Sequence, residues 1–417
     1  MTRVIFYFPY QDECGVPHLF LRMSRWLAAN HGDKYRCFVG DYVDGAMARY
    51  ICKDDNVGIL VAGDRNNPIV VNDNDILVMQ TIVPYYWPKD LKIAPKTKIF
   101  FWTVHYRNLI PSLLPFPILR NVPYNHLWLF KTLGSIFYRS LLRRMKVLVD
   151  DMTDHGAHFF MDKSTERSTI EHLPLKALEK KKYLPVPASD YWGPLKSGHS
   201  NGMINVCFLG RLCMEKTPVV IYSLKKLSEF ALKNKIKIKC SILGFGEYTE
   251  MVNQLDLENP YFTKFKVRPI KFAEIDDFLL KNIDLMFATG TSALESSKLN
   301  IPTILIDGNI KPVKGDYIFR FIYDRREYDL GHILTKDDFE KGNNSFWFCM
   351  NEVITNYEQI ATKCREYFIK NHSLSSVGVL FKTFIDKCTF TFDMIDPKVI
   401  SQPRFLRLYN KLRGFDR

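Results

Sequence analysis

Short apolar runs alternate with amphipathic stretches in two successive halves of this 417-residue chain, and the alternation predicts an α/β protein with two parallel-sheet domains. Two further observations support that class. A segment carrying Pro185, Pro187, Gly193, Pro194, Gly198 and Gly202 separates the halves and reads as a linker. The stretch 285–307, LMFATGTSALESSKLNIPTILID, reads as strand, small polar turn, short helix and second buried strand, which is one βαβ unit. The chain length suits two or three domains at roughly 100–200 residues each. The expected boundaries are 1–185 and 186–365, with helices over 366–417 returning to the first domain.

In the first half, residues 4–8 form an apolar run that reads as a buried strand, followed by the turn PYQDECGVP. Leu19, Phe20, Met23, Trp26 and Leu27 then recur at helical spacing, with Arg22 and Arg25 for the opposite face. Residues 37–40, 59–62, 75–80 and 98–104 are the next strands. His105 follows the last of these directly, where a strand hands over to a ligand-facing loop. A lone histidine is more often structural, but this placement favours function. The segment 109–149 mixes proline, aliphatic and aromatic residues with Arg120, Lys131, Arg139, Arg143, Arg144 and Lys146, and has no acidic residue. It reads either as buried helix with a basic solvated side or as a surface that meets anionic lipid.

The second half opens with a strand at 204–209 and then GRLCMEKTP. Gly210 frees the turn, Arg211 and Lys216 place two cations near one strand end, and a helix starts near Val219 with Leu224 and Leu227 on one face. An arginine fork and a lysine point charge beside a helix start suit a diphosphate. KIKIKCSILGFGE is a strand ending at Gly244 and Gly246; Thr249 stands where a dinucleotide fingerprint needs its third glycine, so that reading is weak. A strand at 264–270 and a helix at 272–280 precede the βαβ stretch. There, Ser292 is expected to cap a helix starting at Ala293, with Glu295 in its first turn, Asn300 at its end and Pro302 preventing a restart. The helix start suits phosphate, and small residues let a ligand reach the backbone. Glu295 suits a neutral hydroxyl such as a ribose; an ordinary Ser-capped helix has the same pattern. Residues 351–392 read as largely helical, and RFLRLYNKLR near the end is a short basic amphipathic piece.

Fifty-eight Lys and Arg against 45 Asp and Glu give a net charge of +13, which favours an anionic partner. The charge is dispersed and no basic tract forms a nucleic-acid arm, so a phosphorylated metabolite or acidic lipid fits better than nucleic acid. Nine cysteines without CxxC spacing suit a reducing cytosol. No uncharged apolar run reaches the roughly 20 residues of a membrane span, and MTRVIFYFPY is no signal sequence. No metal-ligand cluster is visible in the sequence. A soluble or peripheral cytoplasmic protein is expected.

GRLCMEK, SILGFGE and ATGTSALESSKLNIPTI, in that order, resemble the C-terminal half of GT-B glycosyltransferases, particularly glycosyltransferase family 4. The resemblance implies two Rossmann-like domains facing across a cleft, with a UDP- or GDP-sugar bound mainly by the second. Arg211 and Lys216 would hold the donor diphosphate, and Thr291, Ser292 and Ala293 would offer it backbone groups. Glu295 would bind the ribose, Gly210 and Gly244 would line the donor site, and the backbone near Ile270 would flank the base. A glycine loop at Gly15, together with His105, would contact the transferred sugar or the acceptor. The family's first glutamate, eight positions before Glu295, falls at Phe287, which puts sugar identity and catalytic detail in question. The resemblance further implies hexosyl transfer with retention, without metal or other cofactor. An inverting enzyme would need a base, for which Asp12, Glu13 and His18 are the candidates. The implied acceptor is a glycan or lipid-linked glycan in bacterial surface polysaccharide assembly (lipopolysaccharide, O-antigen or capsule). The implied setting is the inner face of the cytoplasmic membrane, with its anionic surface as a further partner. A nucleotide-sugar epimerase or hydrolase on the same fold, and a basic binding protein without chemistry, are the alternatives.

Overall fold

A computed structural model describes residues 1–12, 14–105, 107–109, 127–137, 139–173, 182–199, 202–257 and 259–403, with 407 and 411. The chain divides into two units, Met1–Val186 with Val377–Arg417, and Pro187–Ser376. Both are α/β.

The first unit contains β1 (Thr2–Tyr7), α1 (Gly15–His31), β2 (Tyr35–Asp41), β3 (Val57–Val61), β4 (Ile69–Val71), β5 (Ile76–Gln80), β6 (Leu91–Ile93) and β7 (Lys98–Thr103). Helices α2 (Leu127–Phe137) and α3 (Arg139–Asp154), strand β8 (His158–Phe160) and helix α4 (Lys163–His172) follow. Six strands make one parallel sheet in the order β3-β2-β1-β5-β7-β8, and β4 pairs with β6 separately. The continuous apolar runs of β1, β5 and β7 are explained by helices covering both faces of a parallel sheet. On α1, Leu19, Phe20, Met23, Trp26 and Leu27 are all buried, as their spacing predicts. In α3, Leu141, Met145, Leu148, Val149 and Met152 are buried while Arg139 and Arg143 are exposed, which is the plain amphipathic pattern. The rest of the expected interfacial stretch, including Arg120, lies largely outside the described residues, as does most of RFLRLYNKLR.

The second unit contains β9 (Met203–Leu209), α5 (Thr217–Asn234), β10 (Lys237–Leu243), α6 (Thr249–Asn253), β11 (Phe262–Lys264), α7 (Ile275–Asn282) and β12 (Leu285–Ala288). It continues with α8 (Thr291–Ser297), β13 (Thr303–Leu305), β14 (Arg320–Phe321), α9 (Ser345–Thr355) and α10 (Tyr357–Asn371). The sheet order is β11-β10-β9-β12-β13-β14, parallel except for β14. In each unit the first strand sits where the strand order reverses, so a crevice opens at the carboxyl ends of β1 and β5 and of β9 and β12.

Two expectations shift. The strand expected at 264–270 ends at Lys264, because the amide of Val267 turns aside to Asn253 Oδ1 (2.8 Å) and breaks the ladder. The return to the first unit starts at Val377 rather than 366. Helix α10 buries Tyr357, Ile360, Ala361, Cys364 and Phe368 and packs on α8, which keeps it with the second unit. Helix α11 (Leu374–Lys387) then carries the chain back: Phe381 meets Phe6 and Phe100 at 5.6 and 5.5 Å, and Phe384 stacks on Phe159 at 4.2 Å. Among the described residues, no helix is long and apolar enough to cross a membrane.

Candidate functional site

The carboxyl ends of β9 and β12 frame a small pocket lined by Gly210, Arg211, Lys216, Phe287, Thr289 and Ile306, among others. The neighbouring loop makes the site compact. Gly244 has φ 157°, and a Cβ on it would lie 2.0 Å from the Gly210 carbonyl oxygen, so only glycine lets these two loops touch. Hydrogen bonds fix the contact: Gly210 N–H donates to Leu243 O (3.0 Å), Leu212 N–H to Phe245 O (2.9 Å) and Gly244 N–H to Arg268 O (2.8 Å). The residue that meets Gly244 is thus Arg268, two positions before Ile270.

Arg211 is exposed and Lys216, at the start of α5, is half-buried. Neither side chain enters an ion pair among the described residues. Burial pushes the Lys216 ammonium below its ordinary pKa, and the nearby Arg211 adds to the shift over the opposing pull of Cys213 and Glu215. A lysine buried beside a second cation is stabilised by any further anion that enters.

The β12–α8 turn differs from the expected one. Its cap is Gly290, at φ 63°, and the helix begins at Thr291, two residues early. Ser292 therefore lies inside the first turn and makes no cap, and Glu295 moves to the second turn. The Ala293 amide donates to Gly290 O (3.1 Å), which leaves those of Thr291 and Ser292 as first-turn donors without a backbone acceptor among the described residues. Glu295 is 5% exposed and bonds through Oε2 to Lys298, whose ammonium also reaches Asp276 Oδ1 at 2.9 Å.

Phe287 sits within β12 and is fully buried, its ring stacked on Phe208 at 5.2 Å and edge-on to Phe319 at 6.2 Å. Only Thr289 and Gly290 separate β12 from α8. The position eight before Glu295 therefore falls within the strand, where Phe287 is a core aromatic that also lines the pocket.

In the first unit, His105 is exposed at the end of β7. Its amide donates to Asn108 Oδ1 (3.0 Å), and its Nδ1 accepts the Arg107 amide (3.1 Å), so the neutral ring carries its proton on Nε2. Gly15 is the first residue of α1 and not part of a loop; a Cβ there would meet open space. Asp12 is exposed, His18 is half-buried with its ring 5.2 Å from Tyr50, and Glu13 lies outside the described residues. The loop ahead of α1 is held by Asp41, a buried carboxylate that accepts the amides of Tyr10 (3.0 Å), Tyr42 (2.8 Å), Met47 (2.7 Å) and Ala48 (3.2 Å).

A charged cluster behind the pocket has no counterpart in the sequence reading. Asp307, just after β13, bonds to Arg325 and accepts the Tyr317 hydroxyl (2.7 Å). His332 bonds through Nδ1 to Asp329 (2.7 Å) and through Nε2 to Asp338 (3.0 Å). Burial works against its protonation, but the bonds to Asp329 and Asp338 outweigh it and push its pKa up to about 10. Asp307, His332 and Asp338 could supply metal ligands, with their nearest atoms within 4.8 Å. Their atoms already face Arg325 and the imidazolium, and that makes a closed ion network. The only sequence signal was the density of charge in YDRREYDLGHILTKDD.

No protein-family profile matches the chain, and neither does any curated protein sequence. Solved structures do match. A glycosyltransferase from Rickettsia africae aligns over 93% of this chain and 98% of its own, at 13% identity and TM-score 0.54. The lipopolysaccharide outer core galactosyltransferase WaaB aligns over 93% and 99%, at 12% identity and 0.52. Anabaena HepE, solved with UDP and glucose, aligns over 93% and 100%, at 11% identity and 0.51. The fold is the one these glycosyltransferases share, with two Rossmann-like domains.

Proposed function

We propose that the protein is a glycosyltransferase that moves a hexosyl group from a nucleoside-diphosphate sugar to a glycan or lipid-linked glycan. The observation that carries this is two cations, Arg211 and Lys216, in no ion pair among the described residues, at the crevice where the second sheet reverses its strand order. The full-length fold match to proteins named as glycosyltransferases supports it, and HepE solved with UDP-glucose supports a UDP-sugar donor.

In this reading the bond between the anomeric carbon and the diphosphate oxygen breaks, and the acceptor hydroxyl forms the new bond as its proton passes to the leaving diphosphate. Positive charge grows on the sugar and negative charge on the leaving diphosphate. Arg211 and Lys216 stabilise that leaving group, with the Thr291 and Ser292 amides beside them. Glu295 keeps Lys298 on Oε2 and takes a ribose hydroxyl on Oε1. Gly244 and the Ile270 backbone flank the base, His105 Nε2–H meets the sugar or acceptor, and transfer proceeds with retention. No metal or other cofactor is assigned a step.

A thermal-shift screen tests the donor. UDP at a hundred times its Kd should stabilise the protein by about 2.7 kcal/mol through mass action, with GDP and CDP weaker. Equal indifference to all three, with and without their sugars, would remove the reading.

The same proposal sets the enzyme at a cytoplasmic membrane face in surface polysaccharide assembly. Trp128 and Ile136 on α2 are 68% and 67% exposed, beside the exposed cations Lys131 and Arg139, and that mix suits an anionic bilayer. Wild type should float with liposomes containing anionic lipid and much less with neutral ones. Protein left at the bottom of both gradients would exclude the membrane assignment.

A further inference from the structure

We propose that His332, with Asp307, Asp329 and Arg325, is a positioning device for the turn at Thr289 and Gly290, so that groups behind the pocket set its affinity for a nucleoside diphosphate. The inference rests on the donor reading above and adds residues that touch no ligand.

The connection runs through one carbonyl. Leu330 O accepts both the Gly290 amide (2.7 Å) and the Thr289 hydroxyl (3.0 Å), and Thr289 lines the pocket. The segment carrying Leu330 is tied down on either side. Asp329 Oδ1 accepts the Gly331 amide (2.9 Å), and Asp307 Oδ1 accepts the His332 amide (3.0 Å). Gly308 N–H donates to His332 O (2.6 Å), and Leu334 N–H donates to Gly308 O (2.8 Å), which joins the segment to the end of β13. At Gly331, φ is 116° and a Cβ would fall 2.3 Å from Thr289 Oγ1, so backbone presses directly on the turn. Two donors converging on Leu330 O fix the peptide plane of Gly290, and that plane aims the next amides, of Thr291 and Ser292, at the pocket.

Energetics also point to a positional role. Asp307 is fully buried, and Arg325, Asp329 and Asp338 are 8%, 8% and 4% exposed. Buried ion networks are seldom more stable than packed apolar side chains of similar volume, whereas they do fix geometry. The imidazolium bridges Asp329 and Asp338, and its own backbone is clamped between Asp307 and Gly308. Losing the ring leaves two buried carboxylates without their shared partner, and the segment that carries Leu330 loses its anchor.

The experiment is UDP titration of folded protein, well below the melting temperature, for wild type, His332→Ala, His332→Gln and Val353→Ala. Val353 is a buried residue of α9 with no bond to this network, and its truncation supplies a destabilised control. His332→Ala should bind UDP about tenfold more weakly, and the KM for the nucleotide sugar should rise in step. His332→Gln, which keeps one donor, should fall between and remains available where the alanine variant does not fold. Val353→Ala should keep wild-type affinity despite its lower melting temperature. Wild-type UDP affinity in the His332 variants would overturn the inference alone. A wild type that binds no UDP, GDP or CDP would overturn the donor reading first and this inference with it. A melting temperature that falls on adding a chelator would overturn it in favour of a metal held by Asp307, His332 and Asp338.

Discussion

Arg211→Ala and Lys216→Ala should each remove most UDP affinity and nearly all transfer while leaving the fold in place. A hydrogen bond to a charged group contributes about 1.5–3 kcal/mol, so each variant should bind the donor roughly 10- to 100-fold more weakly. The loss in kcat should be greater, on the order of 10²–10³, because negative charge on the diphosphate is greatest in the transition state. Stability should move the other way or not at all. Arg211 is exposed and Lys216 is desolvated beside another cation, with neither in an ion pair among the described residues. Deleting either charge breaks no ion pair among the described residues, and at Lys216 it removes a charge that burial disfavours. A site that costs stability and is kept for function shows this opposite movement of melting temperature and activity. Calorimetric titration with UDP, alongside thermal melts of both variants, reads the two effects separately. Near-normal affinity in both would remove the diphosphate assignment.

Much of this arrangement was legible because it is local. Five of the six strands of the first sheet were readable from short apolar runs, since a parallel strand covered on both faces needs a continuous run, while the three-residue β8 was too short to stand out. Arg211 and Lys216 were legible as local features: they lie in the loop between a strand end and the next helix start, and strand ends are where this architecture places ligands. The errors come from partners far along the chain. Ser292 is a reasonable cap from sequence, but Gly290 takes that position because its amide is drawn to Leu330 O, forty residues later. Glu295 read as a free first-turn carboxylate until Lys298 and Asp276 came beside it. Phe287 read as an apolar strand residue, but its stacking on Phe208 and its packing against Phe319 and Phe346 depend on residues far along the chain. The network around His332 joins residues from 307 to 338 that no periodicity connects.

Gly244→Ala should be among the most damaging additions of a single methyl group in the second unit. The new Cβ would lie 2.0 Å from the Gly210 oxygen and 3.0 Å from its carbonyl carbon, both backbone atoms that cannot swing aside as a side chain can. The loops after β9 and β10 would have to part by more than an ångström, breaking the Gly210 to Leu243 bond and carrying Arg211 away from Lys216. Overpacking together with a positive φ on a side-chain-bearing residue should cost about 2–4 kcal/mol of stability. Donor binding should fall below detection, since the pocket's two cations no longer converge. Gly15→Ala is the matched control, because its Cβ meets open space at the start of α1 and its backbone is already helical. That change should raise stability by about 0.4–1 kcal/mol through the unfolded chain. It also tests the sugar contact expected at Gly15. If the position needs glycine to admit a ligand, the stabilised variant will lose transfer, and if not, transfer will be unchanged. Urea denaturation and UDP titration of the two variants, side by side, separate backbone approach from ordinary helix propensity. Wild-type stability and affinity in Gly244→Ala would mean that the two loops are not in contact in solution and that the pocket as described does not form.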